Sequence, residues 1–270
     1  MTVVSAVITR HCTAHATDSL LTELMANGKR KIREDRKPKL VSVRRWRGAM
    51  TFWGLAQYGK WSTLDWLRKQ AAAADEHNSA EEFATRVATH LNEGLVKLHF
   101  PNPVDGGIGI HFTTYERIND YWIPELFLIS NWKGIPYTDI RPEGVGISRE
   151  TFHTLKDVPS VPEHRNSEYR LEVHRWLHEK SGMFRYNNGD PELFNPVANA
   201  ILDTFFTIMK RGSLKSSTSK THCDIARRPI EVISRVLGDF SRKGTRLIGG
   251  KLHDLSVSPH GTYWSSTGGT

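Results

Sequence analysis

The chain opens on an apolar, β-branched stretch, Thr2 to Thr9, which carries no helix signal and predicts a strand. In His11 to Ser19 small residues alternate with polar ones, so this piece can fold back on the first as a hairpin around Arg10-His11. The polar, basic stretch from Met25 to Lys37 reads as an exposed loop. Two further extended runs follow, Lys39 to Trp46 and Ala49 to Gln57, separated by Arg47-Gly48. The expectation is four strands in two hairpins before the first helix.

The period then changes. Ser62 is a capping candidate for a helix whose apolar positions run into Ala71 to Ala74. Ser79-Ala80-Glu81-Glu82 opens a second helix as a capping box, and Phe83, Val87, Leu91 and Leu95 step by four along one face. After Pro101 and Pro103 the pattern returns to strands, Gly107 to Thr114 and Tyr121 to Ser130. Gly134 to Arg149 is turn-rich, with room for one more short strand. His164 to Lys180, Pro191 to Lys210 and Pro229 to Arg242 read as helices, with a mobile loop expected from Ser213 to Lys220. Arg246 to Val257 reads as a closing strand or strand pair, and the tail after Pro259 shows little packing potential. Strands and helices come in blocks and do not alternate strictly, which argues against a doubly wound parallel sheet. The order suits an α+β fold, a four-layer αββα sandwich of two antiparallel sheets flanked by helices.

Composition bounds the rest. The 270 residues, 38% hydrophobic, are enough for one substantial core. No apolar run approaches the ~18 residues of a membrane span, and no secretory signal is visible. Two cysteines, Cys12 and Cys223, are too few for a disulfide framework, so a reducing cytoplasm is the natural location. The formal charge of +8 is largely local, in Lys29 to Lys39 and Arg44 to Arg47. Basic chains bind nucleic acid or acidic partners, but no zinc-finger, RNP or KH motif accompanies the charge, and a solvated face is the plainer reading.

The chemistry lies at the start. Thr2 follows Met1, and removal of Met1, favoured before a small side chain, would leave a hydroxyl and a free α-amine on one residue. An amine that titrates near 8 can take the proton of an adjacent hydroxyl, a known route to acyl transfer.

The residues around Thr2 resemble a proteasome-type β subunit of the N-terminal-nucleophile hydrolases. The pieces that carry the likeness are the Thr-led strand Thr2 to Thr9, Ala16-Thr17-Asp18-Ser19 ending the second strand, Lys39-Leu40-Val41-Ser42-Val43, and Thr51-Phe52-Trp53-Gly54 before the first helix. The Asp18 to Lys39 interval needs a longer loop than the family's. The likeness covers about the first 100 residues, and the remainder mainly in topology. Asp239-Phe240-Ser241 and Ile248-Gly249-Gly250-Lys251-Leu252 are similar to the bacterial ancestral-β-subunit homologues more than to true proteasome β subunits. The family's Gly-Ser-Gly turn is not visible, and the His164 to Lys180 helix looks like an insertion near 160–190. The resemblance implies one domain over 1–258 with a flexible tail, 259–270.

It also assigns roles. Thr2 would be the nucleophile and its own α-amine the base. Lys39 would lower the pKa of hydroxyl and amine, and Asp18 would hold Lys39 charged and in place. Gly54 would offer its amide to the oxyanion. Asp239 and Ser241 could order the α-amine, but their spacing departs from the family's and they are left out of the site. The implied activity is hydrolysis of peptide or other amide bonds in a peptide or protein substrate, without metal or organic cofactor, by a homo-oligomer in a ring or helical stack and off the membrane. The alternatives are a catalytically inactive scaffold of the same fold and a basic nucleic-acid-binding protein.

Other groupings are weaker. His174 and His178 lie four apart on a helix with no third ligand suggested nearby, and His11, Cys12 and His15 do not share one strand face. Gly106-Gly107-Ile108-Gly109 lacks the following helix that a phosphate loop needs. Trp66, Phe205 and Phe206 read as core.

Overall fold

The computed structural model describes residues 3–24, 30–34, 37–98, 108–130, 146–149, 167–179, 182–188, 193–214, 217–240 and 248–265. Among these, the elements in chain order begin with eight strands: β1 (Val4–Thr9), β2 (Thr13–Asp18), β3 (Leu20–Leu24), β4 (Arg30–Glu34), β5 (Leu40–Val43), β6 (Gly48–Gly54), β7 (Gln57–Tyr58) and β8 (Trp61–Ser62). Helices α1 (Thr63–Ala72) and α2 (Ala80–Lys97) follow, then strands β9 (Ile108–Ile118), β10 (Tyr121–Ser130) and β11 (Gly146–Arg149). The last third holds α3 (Ser167–Glu179), β12 (Met183–Asn188), α4 (Phe194–Lys210), α5 (Ser219–Phe240), β13 (Leu252–Ser258) and β14 (Gly261–Ser265). The fold is α+β, with two five-stranded antiparallel sheets, a smaller four-stranded one and five α-helices among the described residues.

The first sheet runs β12-β1-β2-β13-β14 and the second β11-β10-β9-β6-β5. Alternation gives each sheet two different faces. Val3, Val7, Ala14 and Ala16 of the first sheet pack with Cys223, Ile230 and Ile233 of α5 and Ala198 and Leu202 of α4. Met50, Phe52, Ile110 and Phe112 of the second pack with Leu64 and Leu67 of α1 and Phe83, Val87 and Leu91 of α2. The predicted stripe Phe83, Val87, Leu91, Leu95 is the buried face of α2, and each such side chain contributes roughly 1.5–3 kcal/mol. Ser62 and Ser79 cap their helices, accepting the Asp65 and Glu82 amides. Glu82 reaches back to the amide of Asn78, one residue before the capping Ser79.

The other faces of the two sheets meet each other. Ile8, Leu126 and Phe184 pack with Val173, Trp176 and Leu177 of α3 at one side. Leu40, Ala49, Tyr115, Leu255 and Val257 pack at the other. Between these apolar flanks the meeting is polar: His15 Nε2 lies 2.7 Å from the Thr113 hydroxyl, Thr13 approaches the same hydroxyl, and Trp53 donates to His111 Nε2. Burial lowers His15 to about 4; burial, with the neighbouring His15, lowers His111 to about 3.

Several expectations are corrected. The basic stretch after Met25 is not a loop throughout: Arg30–Glu34 pairs with β3, so the region before α1 holds more than four strands. Their backbones close a third sheet, β4-β3-β7-β8, in which β4 carries Ile32 as its single apolar residue and so shows no apolar alternation. Met183–Asn188 has no strand signal in its pattern, yet it pairs along the whole of β1. Helix α5 begins ten residues before Pro229, which sits inside it with its ring buried. The loop expected to Lys220 therefore ends earlier. The expected flexible tail is not one throughout, since Gly261–Ser265 pairs with β13 as an edge strand. Trp66, Phe205 and Phe206 are half-buried at the rims of the cores.

Candidate active site

The site forms where the first sheet and the second end side by side. Asp18 closes β2 in the first sheet, and Lys39 stands directly before β5 in the second. Their side chains cross the gap and meet, with Lys39 Nζ 2.7 Å from Asp18 Oδ1. Both residues are 0% exposed. Lys39 also donates to the Leu20 carbonyl. Two of its three N–H groups are thereby used among the described residues.

Asp18 is held by backbone as well. The Val3 amide donates to Oδ1 at 3.3 Å, and the Gly249 amide donates to Oδ2 at 3.1 Å. Three donors converge on one carboxylate, a set suited to acceptor-only chemistry. The neighbouring Ser19 hydroxyl accepts the Lys251 amide at 2.8 Å, tying the segment before β13 to the same corner.

Lysine is almost never fully buried. Dehydrating this ammonium pulls Lys39 below the ordinary lysine value, and the Asp18 carboxylate opposes that pull by charge and hydrogen bond. A pair of this kind recovers its desolvation cost only with close geometry and further hydrogen bonds, and apolar residues in its place are often as stable. Stability alone is therefore a weak reason for it. A dehydrated charge pair at the junction of two sheets is a functional-site candidate on physical grounds.

Gly54 ends β6 at the same end of the second sheet. The Phe52 amide bonds to the Lys39 carbonyl, which places Gly54 two residues along the strand from Lys39's partner. Its φ of 83° is one that a side chain would strain. Ser130, buried, ends β10 at this end too, since it pairs with Gly109 while Gly54 pairs with Ile108.

The structure thus brings Asp18 and Lys39 into contact and sets Gly54 at the same sheet end. Thr2 and Ser241 lie outside the described residues, and Asp239 is exposed near the end of α5. The parts that sequence reasoning missed are backbone: the Val3 and Gly249 amides and the Leu20 carbonyl. The one available signal was Gly249-Gly250, where φ values of 148° and 78° form a turn that glycine makes easily.

The weaker groupings resolve into packing. Cys12 is buried and its thiol is pushed up to about 12. His11 is exposed and accepts from Arg10 Nε, while His15 faces Thr113. The rings of His174 and His178 stack 4.2 Å apart. Among the described residues no group of three or more His, Cys, Asp or Glu is set to hold a metal, and no helix is long and apolar enough to cross a membrane. No protein-family model matches the chain, and no curated protein matches its sequence.

Proposed function

We propose that the chain is a threonine-type N-terminal-nucleophile amidohydrolase, a proteasome-like peptidase with the four-layer αββα architecture. One observation carries the reading: a fully dehydrated Lys39–Asp18 pair whose carboxylate also binds the amide of Val3, the residue bonded to Thr2. The layering supports it, since each sheet contributes one member of the pair and each is covered by its own helices.

In the proposed reaction Met1 is removed and the Thr2 hydroxyl attacks the carbonyl carbon of an amide. The Thr2 α-amine takes the hydroxyl proton as the C–O bond forms, and returns it to the leaving amine as the C–N bond breaks. Water then hydrolyses the resulting ester, releases the acid and restores the hydroxyl. The ammonium of Lys39, with one N–H not taken by Asp18 or Leu20, stabilises the developing alkoxide. Asp18 acts through Lys39 as a positioning residue. The Gly54 amide donates to the oxyanion, a contribution commonly worth about 3 kcal/mol. The expected substrates are peptides or proteins, and a homo-oligomer is the expected assembly.

The test is direct. Intact-mass measurement should show a chain starting at Thr2, and a peptide boronate or epoxyketone should label that residue. The Thr2→Ala chain should not be labelled. A processed chain that resists both probes at millimolar concentration would refute the nucleophile assignment.

A further inference from the structure

A second concave surface, walled in part by Pro38 and Leu40 on either side of Lys39, lies along the edge of the two sheets. β5 is the edge strand of the second sheet and β14 of the first. Between β5 and the turn joining β13 to β14 is a cleft of about 710 Å³, lined by Ser42, Arg44, Arg47, Arg68, His260 and Thr262 among others. That is a size able to take a small molecule or a few residues of peptide. No acidic residue lines it.

Two of its arginines are held in place. Arg47 has a left-handed backbone, φ 45°, which a non-glycine residue adopts at a cost, and its guanidinium lies 4.1 Å from the centre of the Trp122 ring. Arg68 is set by Asp65 at 3.2 Å on the preceding turn of α1, a pair that leaves both side chains half in water. Arg44 is exposed, and neither it nor Arg47 is paired with a carboxylate among the described residues.

The backbone supplies a second feature. The Phe52 amide bonds to the Lys39 carbonyl, so Lys39 and Phe52 form a hydrogen-bonded pair. Antiparallel alternation then turns the N–H and C=O groups of Leu40 and Ser42 away from β6; Leu40 is fully covered, so of the two it is Ser42 that stands at an open edge among the described residues. Leu40 and Ser42 are themselves part of the cleft wall. An unpaired strand edge accepts another strand, and guanidinium groups beside it select the charge of that strand.

We propose that this cleft binds an extended acidic peptide segment, which bonds to the edge of β5 at Ser42 while its carboxylates meet Arg44, Arg47 and Arg68. A phosphate ligand would use the arginines but would have no use for the edge, and the edge is what favours peptide. The site needs nothing from Thr2, so it stands or falls separately from the hydrolase reading.

The experiment is fluorescence anisotropy with a fluorescein-labelled peptide alternating glutamate and valine. It is run on the native chain and on Thr2→Ala, where cleavage cannot deplete the probe. Saturable binding that weakens with added salt is expected, and the same peptide with lysine for glutamate should not bind. Arg44→Ala/Arg68→Ala, two exposed positions, should fold as the native chain does and weaken binding at least about tenfold, or 1.4 kcal/mol. Ser42→Pro removes an outward N–H without touching a β5–β6 bond and should weaken it further. Unchanged affinity in the double arginine variant, or equal binding of the lysine peptide, overturns the proposal. Full competition by inorganic tripolyphosphate, with Ser42→Pro binding as the native chain does, also overturns it and assigns a phosphate site.

Discussion

Replacing Lys39 by methionine keeps the unbranched apolar stem of the side chain and deletes its ammonium, with the bonds to Asp18 and the Leu20 carbonyl. Asp18 would then be a carboxylate at 0% exposure with the Val3 and Gly249 amides as its remaining described partners. Breaking a buried pair from one side costs about 3–5 kcal/mol. In a domain above 150 residues each kcal/mol moves the melting temperature by about 2–4 °C, so Lys39→Met should melt at least about 6 °C below the native chain. Asp18→Asn should cost a similar amount, because it leaves the ammonium unpaired and turns an amide group towards two backbone donors. The double variant buries no charge. The asparagine that replaces Asp18 can still accept one backbone N–H, so one backbone donor and the Leu20 carbonyl each lose a partner, together about 2–3 kcal/mol at the lower end for orphaned polar groups. The double variant should therefore melt above either single one, with a coupling energy of at least about 2 kcal/mol. Amidase activity, by contrast, should be absent in all three, since rebuilding stability does not restore the cation. Differential scanning fluorimetry and a fluorogenic peptide assay on the four chains read both. Melting losses that simply add would refute the reasoning, because they would mean that the two charges do not share a dehydrated contact.

Three further predictions concern stability alone. His15 and His111 are neutral when folded and lowered to about 4 and about 3, so the unfolded chain takes up protons below pH 6.5 that the folded chain refuses. Their stabilisation is complete above pH 6.5 and is lost as pH falls, at up to about 2.7 kcal/mol per pH unit for the two groups down to about pH 4. Chemical denaturation between pH 7 and 4 measures this, and His15→Gln/His111→Gln should flatten the slope. Phe83→Ala empties the α2 side of the core, where Phe83 meets Phe112 edge-on at 5.2 Å, and should cost about 3–5 kcal/mol in urea unfolding. Ser79→Ala deletes the cap on the Glu82 amide and should cost about 1 kcal/mol, with Ser79→Asp restoring it.

What could be read from the chain was set by period and caps. Phe83, Val87, Leu91 and Leu95 face one way only on a helix, so α2 was legible, as were β1 and β10 from their β-branched and aromatic runs and β2 and β9 from alternation. Arg30–Glu34 was not, because charged residues surround its one apolar position, Ile32, and its partner β3 is fixed by backbone pairing. Met183–Asn188 is half polar since only part of it is covered, and Arg185 and Asn187 bond outward to α4. The start of α5 was hidden by Pro229, which reads as a helix opener but here lies mid-helix. In the site, Asp18 and Lys39 were singled out through the resemblance to proteasome-type β subunits, since a carboxylate at a strand end and a lysine in a basic stretch mark no site by themselves. The Val3 and Gly249 amides were not, because a backbone donor has no letter of its own.

In the proposed hydrolase the pair would also link folding to chemistry. Asp18 belongs to the first sheet and Lys39 to the second, so the contact exists only when the two sheets are seated on each other. What seats them beside it is the polar layer of His15, Thr113, Trp53 and His111. That layer holds while both imidazoles are uncharged. Protonating either one puts a charge where no carboxylate is hydrogen-bonded to it, between sheets that have no other way to separate the charge from its surroundings than to part. Acid should therefore remove the Asp18–Lys39 contact by separating its supports. Loss of amidase activity on acidification should then follow the unfolding curve, and His15→Gln/His111→Gln should shift both together.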